Sequence, residues 1–126
     1  MLVVDSSILV EYLRDNPRAV KFLERRHETD EIIVPTLVAW ELWKGATTPS
    51  RKQQVSDLLS ALSADPFTSG IAQLAGELHI QQQSLGRSRP VIDLLIAAHA
   101  LQHRCPVATL DRDYQGVPGL MVEKGA

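Results

Sequence analysis

Apolar and polar residues alternate along the chain in two distinct rhythms. Short runs that are apolar throughout, MLVV at the start, EIIVPT, PVATLD and LMVE, read as strands buried on both faces. Between them lie stretches with helical spacing. In SSILVEYLRD, Ile8, Leu9, Tyr12 and Leu13 share a face while Glu11 and Arg14 point away. Asp15-Asn16-Pro17 breaks that pattern, and AVKFLERR resumes it as a second short helix. TLVAWELWKG predicts a helix with Thr36 as N-cap and Gly45 as stop. RKQQVSDLLSALS is amphipathic, with Val55, Leu58, Leu59 and Leu62 on one side. Pro66-Phe67 predicts a short extended piece. A long helix follows from Thr68 or Ser69 to about Leu85, with Ile71, Leu74, Ala75 and Leu78 inward. After the basic loop GRSRP, VIDLLIAAHALQH is apolar on nearly every side.

Short buried strands alternating with helices predict an α/β fold, a three-layer α/β/α sandwich around a short parallel sheet. Its length of 126 residues suits one domain, 1–126. In such open sheets ligands bind beyond the carboxyl ends of the strands. Asp5 ends the first strand and Asp111 ends PVATL, so both are expected at that edge.

Composition narrows the class. The chain is 44% hydrophobic and 22% charged, which is inconsistent with global disorder. A net charge of −2 gives no whole-molecule pull towards nucleic acid, so any such site must be a local patch. The single cysteine, Cys105, predicts a buried thiol in a reducing cytoplasm. No signal peptide or membrane span is expected. The motifs GxxxxGK[ST], GxGxxG and GxSxG are absent. His99 and His103 have zinc-compatible spacing without a fourth ligand nearby, and zinc is disfavoured.

The acids carry the chemistry. Asp5 reads equally as a helix cap or as a ligand, and Ser6 or Ser7 is expected to cap the helix and leave the Asp5 carboxylate free for a metal. Glu41 lies among apolar neighbours in VAWELW, against the alternative of a salt bridge to Lys44. Asp93 sits in a helix with no broad polar face. The helix dipole contributes about 0.3–1 kcal/mol there, less than the several kcal/mol that an unpaired buried charge costs. Asp93 therefore needs a partner, either an arginine such as Arg87 or Arg89, or a metal ion. Asp111 and Asp113 straddle Arg112 in TLDRDY, where turn chemistry also favours Asp. Two carboxylates about 4 Å apart repel by about 4 kcal/mol at an effective dielectric of 20. Three or four together call for a cation, and oxygen-only ligands suit Mg²⁺ or Mn²⁺. Such a cluster is fitted to phosphoryl chemistry. GRSRP and Arg112 could flank a phosphate backbone at its rim. Tyr12, Trp40 and Trp43 are expected mostly in the core.

The segments VVDSSILVEYL, VAWELWKGA, RPVIDLLIAAHAL and VATLDRDYQGVPGLMVE, spanning residues 3 to 123, resemble those of PIN-domain ribonucleases, in particular VapC-type toxins of type II toxin–antitoxin pairs. The resemblance implies a metal-dependent endoribonuclease with Asp5, Glu41, Asp93 and Asp111 as its acids. Asp5 and Asp93 would hold Mg²⁺ or Mn²⁺ most directly. Ser7 would support a ligand or water, and Asp113 matches a less uniformly acidic position. The resemblance further implies an RNA substrate, a homodimer and a cognate antitoxin packed in a groove near the site. Two other readings share the layout: a phospho-acceptor domain of receiver type, and a PIN module that binds RNA or protein without cutting. Acids on helices fit the receiver poorly, and the complete acid set disfavours the non-cleaving module.

Overall fold

The structure is a computed structural model that describes residues 1–112 and 114–125. Five strands form one parallel sheet: β1 (Leu2–Val4), β2 (Ile32–Pro35), β3 (Ser63–Asp65), β4 (Val107–Thr109) and β5 (Val122–Lys124). Their order is β3-β2-β1-β4-β5. β1, β2 and β4 are buried residue for residue, as strands covered on both faces must be. The chain builds outward from β1 to β3 and then crosses to β4 on the other side of β1. The switch point of the sheet therefore lies between β1 and β4, where Val3 pairs with Val107 and Val4 with Ala108.

Six helices cover the sheet: α1 (Ser6–Leu13), α2 (Pro17–Thr29), α3 (Thr36–Gly45), α4 (Pro49–Ser60), α5 (Ser69–Ser84) and α6 (Val91–His103). The fold is the predicted α/β/α sandwich. α1 packs on α2 and α3, and α5 packs along α6. Ala97, Ala98 and Ala100 of α6 are fully buried, as are Leu2, Val4, Ile8 and Leu9 around β1. Each full burial of a Leu, Ile or Val side chain contributes about 1.5–3 kcal/mol.

Several boundaries differ from expectation for local reasons. α2 and α4 start earlier, at Pro17 and Pro49. Proline at the first helical position is pre-set for the helix, and Asn16 and Thr48 accept hydrogen bonds from Arg18 and Arg51 as N-caps. The break at Asp15-Asn16-Pro17 is thus also a start. Thr36 is not a cap: it lies inside α3, and Pro35 precedes it without a side-chain hydrogen bond. α4 closes at Ser60, and the next residues form β3 just before Pro66, beside β2. The first turn of α6 is not enclosed, since Val91 is exposed. Trp40 and Trp43 are exposed as well, at 54% and 43%, so the expectation of core tryptophans fails. They lie on the outer side of α3, where Lys44 stacks over the Trp40 ring. No helix among the described residues is long and apolar enough to cross a membrane.

Candidate active site

The carboxyl end of β1 delivers Asp5 directly beneath the start of α1, at the switch point. Asp5 is buried and held on both oxygens. Oδ1 accepts from the Ser7 backbone N–H at 3.0 Å and from Ser7 Oγ at 2.5 Å, while Oδ2 accepts from the Thr109 hydroxyl. Those two hydroxyls in turn accept from consecutive backbone N–H groups, Ser7 Oγ from Leu110 at 3.0 Å and Thr109 Oγ1 from Asp111 at 2.8 Å. Asp5, α1 and the end of β4 are thereby joined by two parallel hydroxyl relays. The expectation that a serine would cap α1 and leave Asp5 free is not met. Asp5 is itself the N-cap, because its extended backbone at the strand end aims the carboxylate at the Ser7 N–H. Three hydrogen bonds still leave acceptor capacity on a carboxylate with about four lone-pair directions. Burial outweighs these bonds and raises the Asp5 pKa above the usual carboxylate range.

The other acids arrive from three different elements. Glu41 lies midway along α3, half-buried, and makes no salt bridge to Lys44. Its Oε1 is buried without a hydrogen-bond partner. Asp93 is half-buried in the first turn of α6, and Asp111 is exposed just beyond β4. What unites them is Tyr114, a residue the sequence patterns did not single out. Its ring is buried and its hydroxyl has no hydrogen-bond partner. Burial raises the pKa of this phenol far above its ordinary value, and the negative charges of Asp5, Asp93, Asp111 and Glu41 raise it further. The charges of all four predicted acids thus bear on one buried hydroxyl, which keeps its proton. The available signal was an aromatic residue inside the polar run DRDYQG, with Val117 buried one turn on. Tyr114→Phe removes an unsatisfied hydroxyl, so it is expected to leave the fold at least as stable, by about 1 kcal/mol in its favour. Denaturant melts of the metal-free protein would check this, and a loss of about 1 kcal/mol or more would contradict it.

Among the described residues, no three Asp, Glu, His or Cys side chains close tightly enough to cage a cation outright. Mg²⁺ does not require such a cage, since it binds through one or two carboxylates and keeps several waters. Asp113 lies outside the described residues. Arg112 is exposed on the loop after Asp111.

GRSRP, expected to flank a phosphate backbone at the rim, has its two arginines engaged within the fold. Arg87 Nη1 donates to the Gly116 carbonyl at 2.7 Å. Arg89 Nε donates to Gln82 Oε1 at 2.8 Å, and its Nη2 donates to the Gln115 carbonyl. The two arginines fasten the loop that carries Tyr114. His99 and His103 both face a single oxygen, Asp65 Oδ2, at 2.5 and 2.9 Å, which ties α6 to β3. Cys105 is buried as expected, and burial pushes its thiol pKa up.

Fold and site together define an open α/β domain whose carboxyl edge is lined with acids. Its sequence matches the PIN domain over residues 2–120. Ribonuclease VapC19 of Mycobacterium tuberculosis (strain CDC 1551 / Oshkosh) is 32% identical over 102 residues, covering 80% of this chain and 81% of that protein. Among solved structures, VapBC2 from Rickettsia felis bound to a promoter DNA fragment superposes with a TM-score of 0.90 at 22% identity, covering 98% of this chain and 97% of that one. Mycobacterium tuberculosis VapC20, a sarcin–ricin loop cleaving toxin, superposes with a TM-score of 0.70 at 12% identity, covering 96% and 99%. The chain belongs to the PIN-domain family, with VapC-type toxins among its relatives.

Proposed function

We propose that this protein is a Mg²⁺- or Mn²⁺-dependent endoribonuclease and the toxin of a type II toxin–antitoxin pair. One observation carries the reading: Glu41 Oε1 is buried without a partner, and the charge of Glu41 bears on the same buried Tyr114 hydroxyl as those of Asp5, Asp93 and Asp111. Leaving an acceptor unpaired in the interior costs about 1–3 kcal/mol, more if it is charged. A site that retains such a cost is organised for something it binds. An all-oxygen donor set on several elements fits a hard divalent cation with water in its shell.

Asp5 and Asp93 would hold the ion, with Glu41 and Asp111 completing its surroundings through water. When bound, the ion supplies positive charge that polarises the phosphodiester and lowers the pKa of the attacking water. Ser7 and Thr109 fix the orientation of Asp5 through their relays. Glu41 Oε1 accepts a hydrogen bond from the attacking water and aligns it. Tyr114 keeps its proton and serves only as a donor to oxygens entering the cluster. Water attack at phosphorus yields 5′-phosphate and 3′-hydroxyl ends.

The partners follow from two surfaces. A groove of about 390 Å³ between α1, α3 and α4 opens on Glu41, with Leu13, Leu42 and Val55 as apolar walls and Arg14 and Arg51 at the rim. It fits an antitoxin segment that anchors apolar side chains beside the acids. Trp40 and Trp43, exposed on α3, fit a homodimer contact.

The purified chain incubated with structured RNA is expected to cut it with Mg²⁺ or Mn²⁺ and to stop in excess EDTA, with 5′-phosphate ends detected by exonuclease sensitivity. Equal cleavage in EDTA would remove the metal from the mechanism. No cleavage with either ion on any RNA tested would overturn the ribonuclease reading.

A further inference from the structure

Away from the acids, one surface concentrates positive charge in a chain whose net charge is −2. A groove of about 410 Å³ between α2 and the end of β5 is lined by Arg18, Lys21, Phe22, Arg25, Arg26 and Lys124, with no acid among them. Arg26 is already committed: it donates to Glu123 and, at 3.1 Å, to Asp30, and its guanidinium sits over the Phe22 ring. The bond to Glu123 raises the Arg26 pKa, and the Arg26 guanidinium lowers that of Asp30. The other four cations, Arg18, Lys21, Arg25 and Lys124, are exposed and form no ion pair with any described residue. Helix surfaces normally offer partners three or four residues away, and Glu24 and Glu28 are near enough in sequence. They are left unused, and the positive charge stays available.

The groove is also placed with respect to the acids. Lys124 pairs in register with Thr109 across the β4–β5 ladder, and the Thr109 hydroxyl donates to Asp5. The Gly125 N–H donates to the Thr109 carbonyl at 3.0 Å, and a Cβ on Gly125 would stand 2.3 Å from Ile8 Cδ1, so this segment lies hard against α1. Adjacent strands are separated by about 4.8 Å. Lys124, the one lining residue on β5, is therefore one strand away from Thr109 of the Asp5 relay. From Arg18 to Arg25 the helix extends about 10 Å outward, at about 1.5 Å per residue.

We propose that this groove holds the sugar–phosphate backbone of the RNA on one side of the scissile bond, with Arg18, Lys21, Arg25 and Lys124 as its phosphate contacts. The inference rests on the ribonuclease reading and extends it by naming where the substrate strand leaves the acids. Contacts of this kind carry no base information; they set affinity and register, while selection of the cut site lies elsewhere.

The test uses the full chain. Binding of a fluorescein-labelled 20-nucleotide oligouridylate is followed by anisotropy in EDTA from 50 to 300 mM NaCl, for the native protein and for Arg18→Ala/Lys21→Ala/Arg25→Ala. All three positions are exposed, and a thermal melt confirms that the variant is folded. Each lost phosphate contact lowers the log–log salt slope by about 0.7 for a single strand, so the slope should fall by about 2. In Mg²⁺, the KM for the 20-mer should rise at least tenfold, while cleavage of a dinucleotide, whose one phosphodiester is the scissile one, is unchanged. Native cleavage of RNA with an unaltered salt slope in the variant would overturn the groove but not the ribonuclease. The groove fails equally as an RNA site if poly-glutamate binds it in the native protein while the RNA slope stays the same, which would assign the surface to an acidic protein partner. Native protein that cuts no RNA, structured RNA included, would sink the underlying reading itself.

Discussion

Asp5→Asn is expected to lower RNA cleavage by more than about a hundredfold and, at the same time, to raise the melting temperature of the metal-free protein. The two effects have one origin. Partners that only orient a metal ligand are worth about 10–100-fold each, so replacing a direct ligand should exceed that range. Asparagine keeps an oxygen for the Ser7 N–H but removes the charge that a cation needs. The same charge is a burden to the empty fold. Asp5 is only 4% exposed, and burial outweighs its three hydrogen bonds, which is why its pKa is raised. A raised carboxyl pKa means that the ionised form is less stable in the folded state than in the unfolded one, so a neutral isostere relieves the fold. Gains of this kind at active sites are a known exchange of stability against activity. Calorimetric melts in EDTA, paired with cleavage assays in Mg²⁺, would check both halves. A variant that cuts as well as the native chain would remove Asp5 from the site. One that melts lower would show the relays to be structural first. Asp93→Asn, in the first turn of α6, serves as the companion for activity alone.

Gly116→Ala should cost about 2 kcal/mol, or roughly 6–10 °C in a domain of this size. Gly116 has a φ of +83°, which side chains with a Cβ rarely adopt, and an added Cβ would lie 2.7 Å from Arg87 Nη1 and 3.2 Å from Arg89 Nη2. Both arginines can swing away, but Arg87 would then lose its bond to the Gly116 carbonyl. Gly86→Ala is the control: its φ is +69°, yet nothing lies within 4 Å of its Cβ position, so only the backbone strain of about 1 kcal/mol remains. Chemical denaturation of the two variants side by side would separate strain from the clamp. Equal losses would mean that the arginines contribute nothing to holding this loop.

What the pattern of residues revealed, and what it hid, follows the range of the interactions. Asp5 could be placed at the active edge because an unbroken apolar run has only one strand reading. The alternation of such runs with helices was enough for a parallel sheet. Ser63–Asp65 escaped notice as a strand because it is short, only partly buried and has no apolar signature. The exposure of Trp40 and Trp43 was illegible for the opposite reason, since their composition speaks for a core that the helix face does not meet. Whether Asp5 or a serine caps α1 depends on donors more than 100 residues away in the chain, Leu110 and Thr109, which no local window contains. Tyr114 was missed because its significance lies in the charges that bear on it, from acids scattered between residues 5 and 111. Arg87 and Arg89 have the composition of a phosphate clamp, and only the three-dimensional path of the loop shows that they grip backbone carbonyls instead.

The central position of β1 also sets the order of events during synthesis. Asp5 is made 104 residues ahead of its Thr109 partner, and β1 gains its second neighbour only when Val107 arrives. At about 5–20 residues per second on the ribosome, the first acid waits roughly 5–20 s before the site around it can close. Until then it has no relay from β4, no Tyr114 beside it and no fourth carboxylate. If Asp111 belongs to the site as proposed, a chain that stops between β1 and β4 is expected to cut no RNA. On the ribonuclease reading, the cell then meets the activity only after β4 has left the ribosome.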